Sequence, residues 1–342
     1  MKIVHITPSL AGGGAERMLS KLVEYDETNE HIIISLLNLK PHYKITNAEV
    51  IYLDLENNKI NKLKAFFILK RCIKKIDPDL IQTWMKANFY GPLLKMTNQK
   101  KIVSNFRNGY SGTRNKVFLK LYTRYFNFFD GHIFVSKSAL KEREDVGIRF
   151  SKCRVITNGF VIPKSQRKAP RNQFTIGHLS RYHSIKNQQM LINAYREFSK
   201  GKDTNLVLAG RDLNEKNLDI SKIDHKKITI LGELTATSNF YNSIDLFVLT
   251  SKSEGFPNVI GEAMSYGVPV ITTNAGESFQ IIGKTGYKVS SEQELVKILN
   301  ELFLNDANLI EKGLQAKNRI KEKYSIHKII NNYTEFYNEI GE

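Results

Sequence analysis

The chain has 342 residues, 41% of them hydrophobic, and its formal net charge at pH 7 is +17. This length and composition predict two folded domains and exclude a disordered chain. Its two cysteines are too few for a disulfide framework, and no apolar run reaches the ~18 residues that a membrane helix needs. Residues 1–6 lead into a glycine loop, which favours a first strand over a signal peptide. We therefore expect a cytoplasmic protein.

The positive charge is concentrated in the first half of the chain. Residues 1–170 contain 30 Lys and Arg against 14 Asp and Glu, whereas residues 171–342 contain 21 against 20. A basic half joined to a neutral half predicts that the first half meets something anionic, either a membrane surface or a nucleic acid.

The first predicted strand, residues 2–7, is followed by a glycine-rich loop and by a helix through about residue 24. Between a strand and a helix, glycines let backbone N–H groups approach a phosphate or a sugar closely. Gly13 and Gly14 are therefore candidate ligand-binding residues. The alternative that this pattern leaves open is a turn whose glycines provide only flexibility.

Two further predicted helices in the first half combine basic and bulky apolar residues. Residues 61–76 carry Lys and Arg beside Leu, Phe and Ile, and residues 113–129 interleave Arg and Lys with Phe and Tyr. Such helices suit the headgroup region of an anionic membrane, and the aromatic residues of the second also suit base stacking. The ordinary alternative is a pair of helices that pack on a sheet and keep their cations in solvent.

The second half of the chain restarts a pattern of alternating strands and helices. Residues 175–181 form a predicted strand and a loop that ends at Arg181, and Lys186 opens the next predicted helix. Residues 245–250 form another strand, and Glu254 lies in the loop that leads into a helix, with Pro257 in the first turn of this helix and Glu262 on its second turn. Ligands of open parallel sheets bind at the carboxyl ends of the strands, where such loops meet. The N-terminus of the helix that carries Glu262 is also a favourable site for an anion.

The residues from 254 to 270 follow the pattern Glu-Gly-Phe-Pro-x4-Glu-Ala-Met-x2-Gly-Val-Pro-Val. This pattern resembles the signature of retaining, nucleotide-sugar-dependent glycosyltransferases of family 4, also called group 1. Other matching patterns, such as Gly-Gly-x-Glu-Arg at residues 13–17, extend the resemblance over nearly the whole chain. The resemblance implies an α/β protein with the GT-B architecture, in which two Rossmann-like parallel-sheet domains face each other across a cleft.

The resemblance also implies roles for individual residues. The expected catalytic residues are Glu254, which approaches the donor sugar, and Arg181 and Lys186, which neutralise the donor diphosphate as its bond to the sugar breaks. Glu262 is expected to accept hydrogen bonds from the ribose hydroxyls. The other expected donor-binding residues lie in the glycine loop and at the start of the Glu262 helix: Gly13, Gly14, Gly255, Phe256, Asn258 and Val259.

The chain departs from the family pattern at two positions. Similar enzymes often have an active-site His in the loop that follows residues 80–83, where this chain has Lys86. Ser180 replaces the glycine that usually precedes Arg181. We expect Lys86, together with Arg107 at the end of the next strand, to contact the leaving phosphate or an anionic acceptor.

These features predict residues 1–165 as an acceptor-side domain, 166–324 as the nucleotide-sugar-binding domain, and 325–342 as a helix that crosses back to the first domain. A polar linker is expected at 163–172. The expected reaction transfers a hexose-type sugar from a nucleotide-diphosphate sugar to a glycan, with retention at the anomeric carbon. The glycan is expected to belong to surface polysaccharide or oligosaccharide assembly. UDP is the expected nucleotide, because it is common among similar enzymes. No cofactor and no metal is expected, because the two cations and a helix dipole supply the positive charge.

The basic first half favours an acceptor linked to polyprenyl diphosphate and peripheral contact with an anionic membrane at its inner face. Two alternatives stay open. One is a nucleotide-sugar epimerase or synthase of the same fold. The other is a basic nucleic-acid-binding protein, which rests on charge and aromatic content alone, since no recognition motif for nucleic acid is found; we expect no nucleic-acid partner.

Overall fold

The computed structural model describes residues 1–55, 59–109, 112, 115–164, 173–220 and 223–342. They form two compact units, Met1–Gly159 with Ile326–Glu342, and Phe160–Ser325. We call these unit 1 and unit 2. Residues 165–172, which hold the predicted domain boundary and most of the predicted linker, lie outside the described residues, as do Thr113 and Arg114 of the predicted helix at 113–129.

Unit 1 is built on a parallel sheet of seven strands. The strands are β1 Lys2–Thr7, β2 Glu30–Ser35, β3 Glu49–Tyr52, β4 Leu80–Trp84, β5 Lys101–Phe106, β6 Gly131–Phe134 and β7 Cys153–Val155. The helices between them are α1 Gly14–Tyr25, α2 Lys59–Ile76, α3 Tyr90–Lys95, α4 Lys116–Phe126 and α5 Lys137–Asp145. The strand order is β3-β2-β1-β4-β5-β6-β7, so it changes direction between β1 and β4. The loops after these two strands hold Gly13 and Lys86.

Both faces of this sheet are buried, which is usual for parallel strands. Side chains of a strand alternate between faces, and β1 shows the consequence. Its Ile3 belongs to an apolar cluster with residues of α1, whereas Val4 belongs to a second cluster with residues of α2 and α3. The sheet is therefore the middle layer of three, and only its strand ends and loops are available to ligands.

Unit 2 is built on a parallel sheet of six strands, in the order β10-β9-β8-β11-β12-β13. These are β8 Phe174–Leu179, β9 Thr204–Ala209, β10 Ile228–Gly232, β11 Leu246–Leu249, β12 Val270–Thr272 and β13 Tyr287–Lys288. The helices are α6 Gln188–Phe198, α7 Ser238–Ser243, α8 Asn258–Ser265, α9 Ser278–Ile282, α10 Glu292–Phe303 and α11 Asp306–Tyr324. Apolar clusters again bury both faces of the sheet.

Two local predictions in unit 2 were wrong. Lys186 does not open a helix; it ends a short 3-10 turn, Ser184–Lys186, because Asn187 takes a left-handed conformation with φ 52° before α6 begins. Pro257 is not in the first turn of α8 but precedes it, with an extended ψ of 91°. The short strand β13 was not predicted, because two residues carry no periodicity.

The last helix, α12 Ile326–Gly341, belongs to unit 1. Ser325, with extended backbone, separates it from α11, so the helix that we predicted from residue 325 begins one residue later. Its buried residues recur every three or four positions and are Ile326, Ile329, Ile330, Tyr333, Phe336, Tyr337 and Ile340. Asn105 of β5 donates to the Tyr333 hydroxyl at 3.1 Å, which fixes the helix on the sheet. Within the described residues no helix is long and apolar enough to cross a membrane.

Candidate active site

The expected catalytic residues lie on loops at the carboxyl edge of the unit 2 sheet. The strand order changes direction between β8 and β11, which are paired neighbours. The loop after β8 holds Arg181 and Lys186, and the loop after β11 holds Glu254. Neighbouring parallel strands bring the two loops to the same edge, and open parallel sheets bind ligands where the strand order changes direction.

Lys186 and Glu254 form an ion pair at this edge. The Lys186 Nζ atom lies 2.6 Å from Glu254 Oε1, and only 18% and 12% of the two side chains are exposed. The Ser251 hydroxyl donates to the same oxygen at 2.7 Å. In the part of the chain that the structure describes, Glu254 Oε2 has no hydrogen-bond partner, so one carboxylate oxygen is held and the other is available to a ligand.

The start of α8 lies directly after this loop. The first N–H groups of a helix are not used by the helix itself, and in α8 they belong to Asn258 and Val259. Glu262, one turn further along, is 5% exposed and accepts a hydrogen bond from the Tyr241 hydroxyl at 3.0 Å. A fixed, buried carboxylate is therefore present on the helix whose N-terminus favours an anion.

Gly255 and Phe256, also expected to bind the donor, have different surroundings. A Cβ at position 255 would meet nothing within 4 Å, so there is open space beside the Gly255 backbone. The half-buried Phe256 ring stacks on Phe160, with centroids 6.3 Å apart. Phe160 in turn packs under α8, because a Cβ on Gly261 would lie 2.1 Å from its ring. The structure thus gives Phe256 a packing role, and its contact with a donor stays a prediction.

Arg181 lies on the same loop as Lys186 and is exposed. Its backbone carbonyl accepts a hydrogen bond from Gln188 Nε2 at 2.9 Å. Its guanidinium group has no polar partner among the described residues. The structure therefore brings Lys186 and Glu254 into contact and leaves Arg181 nearby in the chain, with its charge in solvent.

Gly276 is a site residue that the sequence did not single out. It has φ 54°, and a Cβ there would lie 2.2 Å from the Glu254 carbonyl oxygen and 2.7 Å from that of Gly255. The next residue, Glu277, donates its backbone N–H to the Gly255 carbonyl at 3.3 Å. The turn after β12 therefore packs against the backbone of the Glu254 loop. Only glycine fits at position 276 of this turn. Its contact with the Glu254 loop depends on the pairing of β11 with β12, which residue spacing does not show.

Gly13 and Gly14 lie at the start of α1, where the sequence placed them. Gly13 is the residue before the helix, and Gly14 is its first residue. A Cβ on Gly13 would lie 2.4 Å from Glu16 Oε2, so this carboxylate lies close to the N-terminus of α1. The helix has no side-chain cap, which leaves the backbone N–H groups of its first turn to other partners. Donor binding by the two glycines stays a prediction.

Lys86 and Arg107, the two candidate acceptor contacts, differ in their availability. Lys86 is exposed on the 3-10 segment Met85–Phe89, without a polar partner in the described residues. Arg107 donates to the Ile156 carbonyl at 2.9 Å and to Asn158 Oδ1, and burial lowers its pKa from the usual value. These contacts fix Arg107 inside unit 1. Its role toward an acceptor stays a prediction, as does that of Lys86.

Unit 1 also contains a buried chain of hydrogen bonds that the sequence did not indicate. Trp84 Nε1 donates to His5 Nδ1 at 3.2 Å, His5 Nε2 lies 2.9 Å from His31 Nδ1, and His31 Nε2 lies 3.1 Å from Asp26 Oδ2. Since indole only donates, His5 is the Nε2–H tautomer, and the same logic makes His31 an Nε2–H donor to the carboxylate. Burial holds the pKa of His5 well below its usual value. The chain fixes Trp84 directly before the Lys86 segment.

Two family models match the chain. The model described as Glycosyltransferase Family 4 matches residues 12–162, and the one described as Glycosyl transferases group 1 matches residues 173–305. Among curated relatives, the capsular polysaccharide biosynthesis glycosyltransferase CapM of Staphylococcus aureus is 28% identical over 201 residues, which are 56% of this chain and 52% of CapM. The match thus spans about half the length of CapM. The O-antigen biosynthesis glycosyltransferase WbnH of Escherichia coli is 26% identical over 286 residues, 81% of this chain and 80% of WbnH.

Two solved structures share the fold of this chain. A glycosyltransferase from Rickettsia africae superposes with a TM-score of 0.85 at 20% identity, over 99% of this chain and 98% of that one. Anabaena HepE, solved in complex with UDP, superposes with a TM-score of 0.81 at 21% identity, over 99% and 100%. The two Rossmann-like parallel sheets are therefore those of the GT-B architecture. Fold, motif and family matches agree, and this chain belongs to the family 4, or group 1, glycosyltransferases.

Proposed function

We propose that this protein is a retaining hexosyltransferase, which moves a hexose-type sugar from a nucleotide-diphosphate sugar to a glycan acceptor. The observation that carries the proposal is the Lys186–Glu254 ion pair at the carboxyl edge of the unit 2 sheet. A carboxylate and an ammonium group 2.6 Å apart present one charge of each sign at one place. Such an arrangement suits a reaction that separates charge.

The proposed reaction breaks the bond between the anomeric carbon and a phosphate oxygen. As this bond lengthens, the sugar gains positive charge and the leaving diphosphate gains negative charge. Glu254 then stabilises the sugar and Lys186 the diphosphate, through groups that are held in place before the reaction begins. For retention, the acceptor hydroxyl attacks the face from which the diphosphate leaves, and its proton passes to the leaving phosphate oxygen.

The rest of the donor is held by groups on the same two loops. The exposed Arg181 adds a second cation for the diphosphate, and the N-terminus of α8 adds N–H groups and a helix dipole. Glu262, buried on α8, accepts hydrogen bonds from the ribose hydroxyls. The proposed reaction uses these cations and dipoles in place of a metal ion or another cofactor.

We infer from similar proteins that the nucleotide is UDP and that the product belongs to a surface polysaccharide. Structures of HepE hold UDP and UDP-glucose, and CapM and WbnH are named for capsular polysaccharide and O-antigen biosynthesis. An acceptor linked to polyprenyl diphosphate fits the excess of basic residues in the first half of the chain, since its diphosphate is anionic.

Such an acceptor requires contact with a membrane, and the exposed face of α4 supports this part of the proposal. Val117, Phe118 and Leu121 are 70%, 50% and 63% exposed, beside the exposed cations Lys120 and Arg124. On α2, Leu63 and Phe67 are 70% and 65% exposed. Exposed apolar side chains among cations suit the boundary between anionic headgroups and acyl chains. We therefore propose that the enzyme works at the inner face of the cell membrane.

The proposal is tested by thermal unfolding of the purified protein with UDP, GDP, ADP and their sugars. A ligand that binds only the folded state stabilises it by about 2.7 kcal/mol at a concentration of 100 times its Kd. We expect UDP and UDP-sugars to raise the Tm, and Glu262→Ala to abolish the shift. Glu197→Ala is the control, because the exposed Glu197 pairs with Lys200 near the end of α6 and is not expected to bind the donor.

The outcomes decide between a nucleotide-sugar enzyme and a nucleic-acid-binding protein. A shift with UDP that disappears only in Glu262→Ala supports the assignment of the ribose contact. A shift with none of the nucleotides, together with salt-sensitive binding of nucleic acid, would contradict the proposal and favour a nucleic-acid-binding protein.

A further inference from the structure

Three buried or half-buried polar residues connect β8, β11 and α6 beneath the Arg181–Lys186 loop. The His178 ring, which is 0% exposed, has Nδ1 2.9 Å from the Val248 carbonyl of β11 and Nε2 2.8 Å from the Ser180 hydroxyl. Gln188, 3% exposed and the first residue of α6, donates from Nε2 to the same hydroxyl and to the Arg181 carbonyl, both at 2.9 Å. None of these residues has a role in the proposed reaction.

The direction of each hydrogen bond follows from the chemistry of the groups. A carbonyl only accepts, so the His178 proton is on Nδ1 and Nε2 is an acceptor. The Ser180 hydroxyl therefore donates to His178, and its lone pairs accept from Gln188. Burial lowers the pKa of His178 to about 4, which keeps the ring neutral near pH 7. Each polar hydrogen in this series of hydrogen bonds, from the Val248 carbonyl to the Arg181 carbonyl, has one acceptor. The network is therefore complete without a ligand.

The network acts at both ends of the loop. At one end the hydroxyl of Ser180 is fixed to β8 and β11 through His178, directly before Arg181. At the other end Gln188 begins α6, two residues after Lys186. The Gln188 amide joins these ends, because one of its hydrogens binds Ser180 and the other binds the Arg181 carbonyl. The network thus sets the distance between the parts of the loop that carry the two cations.

We propose that the His178–Ser180–Gln188 network is a positioning device that holds the Arg181–Lys186 loop in the shape that binds the donor diphosphate. This inference rests on the proposed function, which assigns the two cations to the diphosphate. It also gives a reason for Ser180 at a position where similar enzymes usually have glycine. The hydroxyl, which glycine lacks, is the central member of the network.

The test compares ligands with and without the diphosphate in variants that carry no change in charge. Gln188→Met removes both donors at similar size, and Ser180→Ala removes the central hydroxyl. Gln189→Met is the matched control on the neighbouring residue, whose amide binds Asn193 and the Asp219 carbonyl. Calorimetry gives the Kd of UDP against uridine, GDP against guanosine and ADP against adenosine for each protein.

For the pair that the wild type binds, we expect the Kd of the diphosphate to rise about tenfold in Gln188→Met and in Ser180→Ala, a loss of about 1.4 kcal/mol. The Kd of the nucleoside should stay within about twofold in the same variants, and both constants should stay unchanged in Gln189→Met. A variant that is only less stable would weaken both ligands equally. If Gln188→Met does not fold, Ser180→Ala decides, since it removes a single oxygen.

The failures of the two proposals are distinguishable. A wild-type protein that binds no diphosphate more tightly than its nucleoside would refute the role of Arg181 and Lys186, and this proposal with it. A wild-type preference for a diphosphate that survives in Gln188→Met and Ser180→Ala would refute the positioning role alone.

Discussion

Replacement of Gly276 by alanine is expected to disturb the active site without touching a catalytic side chain. A Cβ there would lie 2.2 Å from the Glu254 carbonyl oxygen, and contacts of this kind do not occur below 3.0 Å. The Glu254 backbone must therefore retreat by about 1 Å, a displacement that costs on the order of 100-fold in turnover. Gly276→Ala should thus lower kcat by roughly 100-fold.

Gly276→Ala should also lower the free energy of unfolding, through backbone strain and through overpacking. The control variant Gly201→Ala separates these two costs. A left-handed residue with a Cβ costs about 1–2 kcal/mol, and overpacking adds about 1–3 kcal/mol. Gly201 has φ 67° and nothing within 4 Å of a Cβ, so Gly201→Ala carries only the first cost. We expect Gly276→Ala to be the less stable of the two, and only Gly276→Ala to lose activity.

The assay is sugar transfer at saturating donor, with urea unfolding of both variants in parallel. Equal kcat in Gly276→Ala and Gly201→Ala would refute the reasoning, because it would show that the Glu254 loop does not depend on the turn after β12. If kcat is normal and Gly276→Ala is still the less stable variant, the reasoning is also refuted, because the loop then adapts without displacing Glu254.

Substitutions of Glu254, Arg181, His132 and Leu121 test four other parts of the structure. Glu254→Gln should lower the free energy of unfolding by about 1.5–3 kcal/mol, because it leaves the Lys186 ammonium without an anionic partner; a change below about 0.5 kcal/mol would indicate a solvated surface residue. Arg181→Ala should lower kcat by about 100-fold and raise the donor Kd less, since its interaction strengthens as charge develops; unchanged single-turnover kinetics would contradict this. Burial lowers the pKa of His132 to about 3, so stability should fall as pH drops below about 6.5. Urea unfolding should show that His132→Gln abolishes about 1.6 kcal/mol of the loss between pH 6.5 and 5. Leu121→Glu should reduce sedimentation with anionic vesicles and leave the Tm unchanged, whereas equal sedimentation would place membrane contact elsewhere.

The fold was predictable because its elements are short, apolar and separated by turn residues. The run that became β11 is entirely apolar, and that of β9 is apolar in its last four residues, which is typical of strands buried on both faces. The sequence patterns did not predict helix boundaries that depend on the backbone conformation of a single residue. The left-handed Asn187 delays the start of α6, and nothing in the periodicity of the helix marks it.

The candidate site was predictable in its residues but not in its contacts. Lys186 and Glu254 were separate expectations, since they are 68 positions apart in the sequence and their contact depends on the pairing of β8 with β11. The chain of hydrogen bonds from Trp84 to Asp26 depends on the same kind of pairing, of β1 with β2 and β4. A sequence shows residue types and spacing, whereas such contacts arise from strand order.

The most direct test of the proposed function is sugar transfer by the purified protein. Wild-type protein and Glu254→Gln are incubated with UDP-sugars and an acceptor linked to polyprenyl diphosphate, and the product is identified by mass spectrometry and by the NMR coupling of its new anomeric proton. We predict one added hexose with the anomeric configuration of the donor, and at least a 100-fold lower rate in a folded Glu254→Gln variant. Transfer with inverted configuration, or a Glu254→Gln variant as fast as the wild type, would contradict the account.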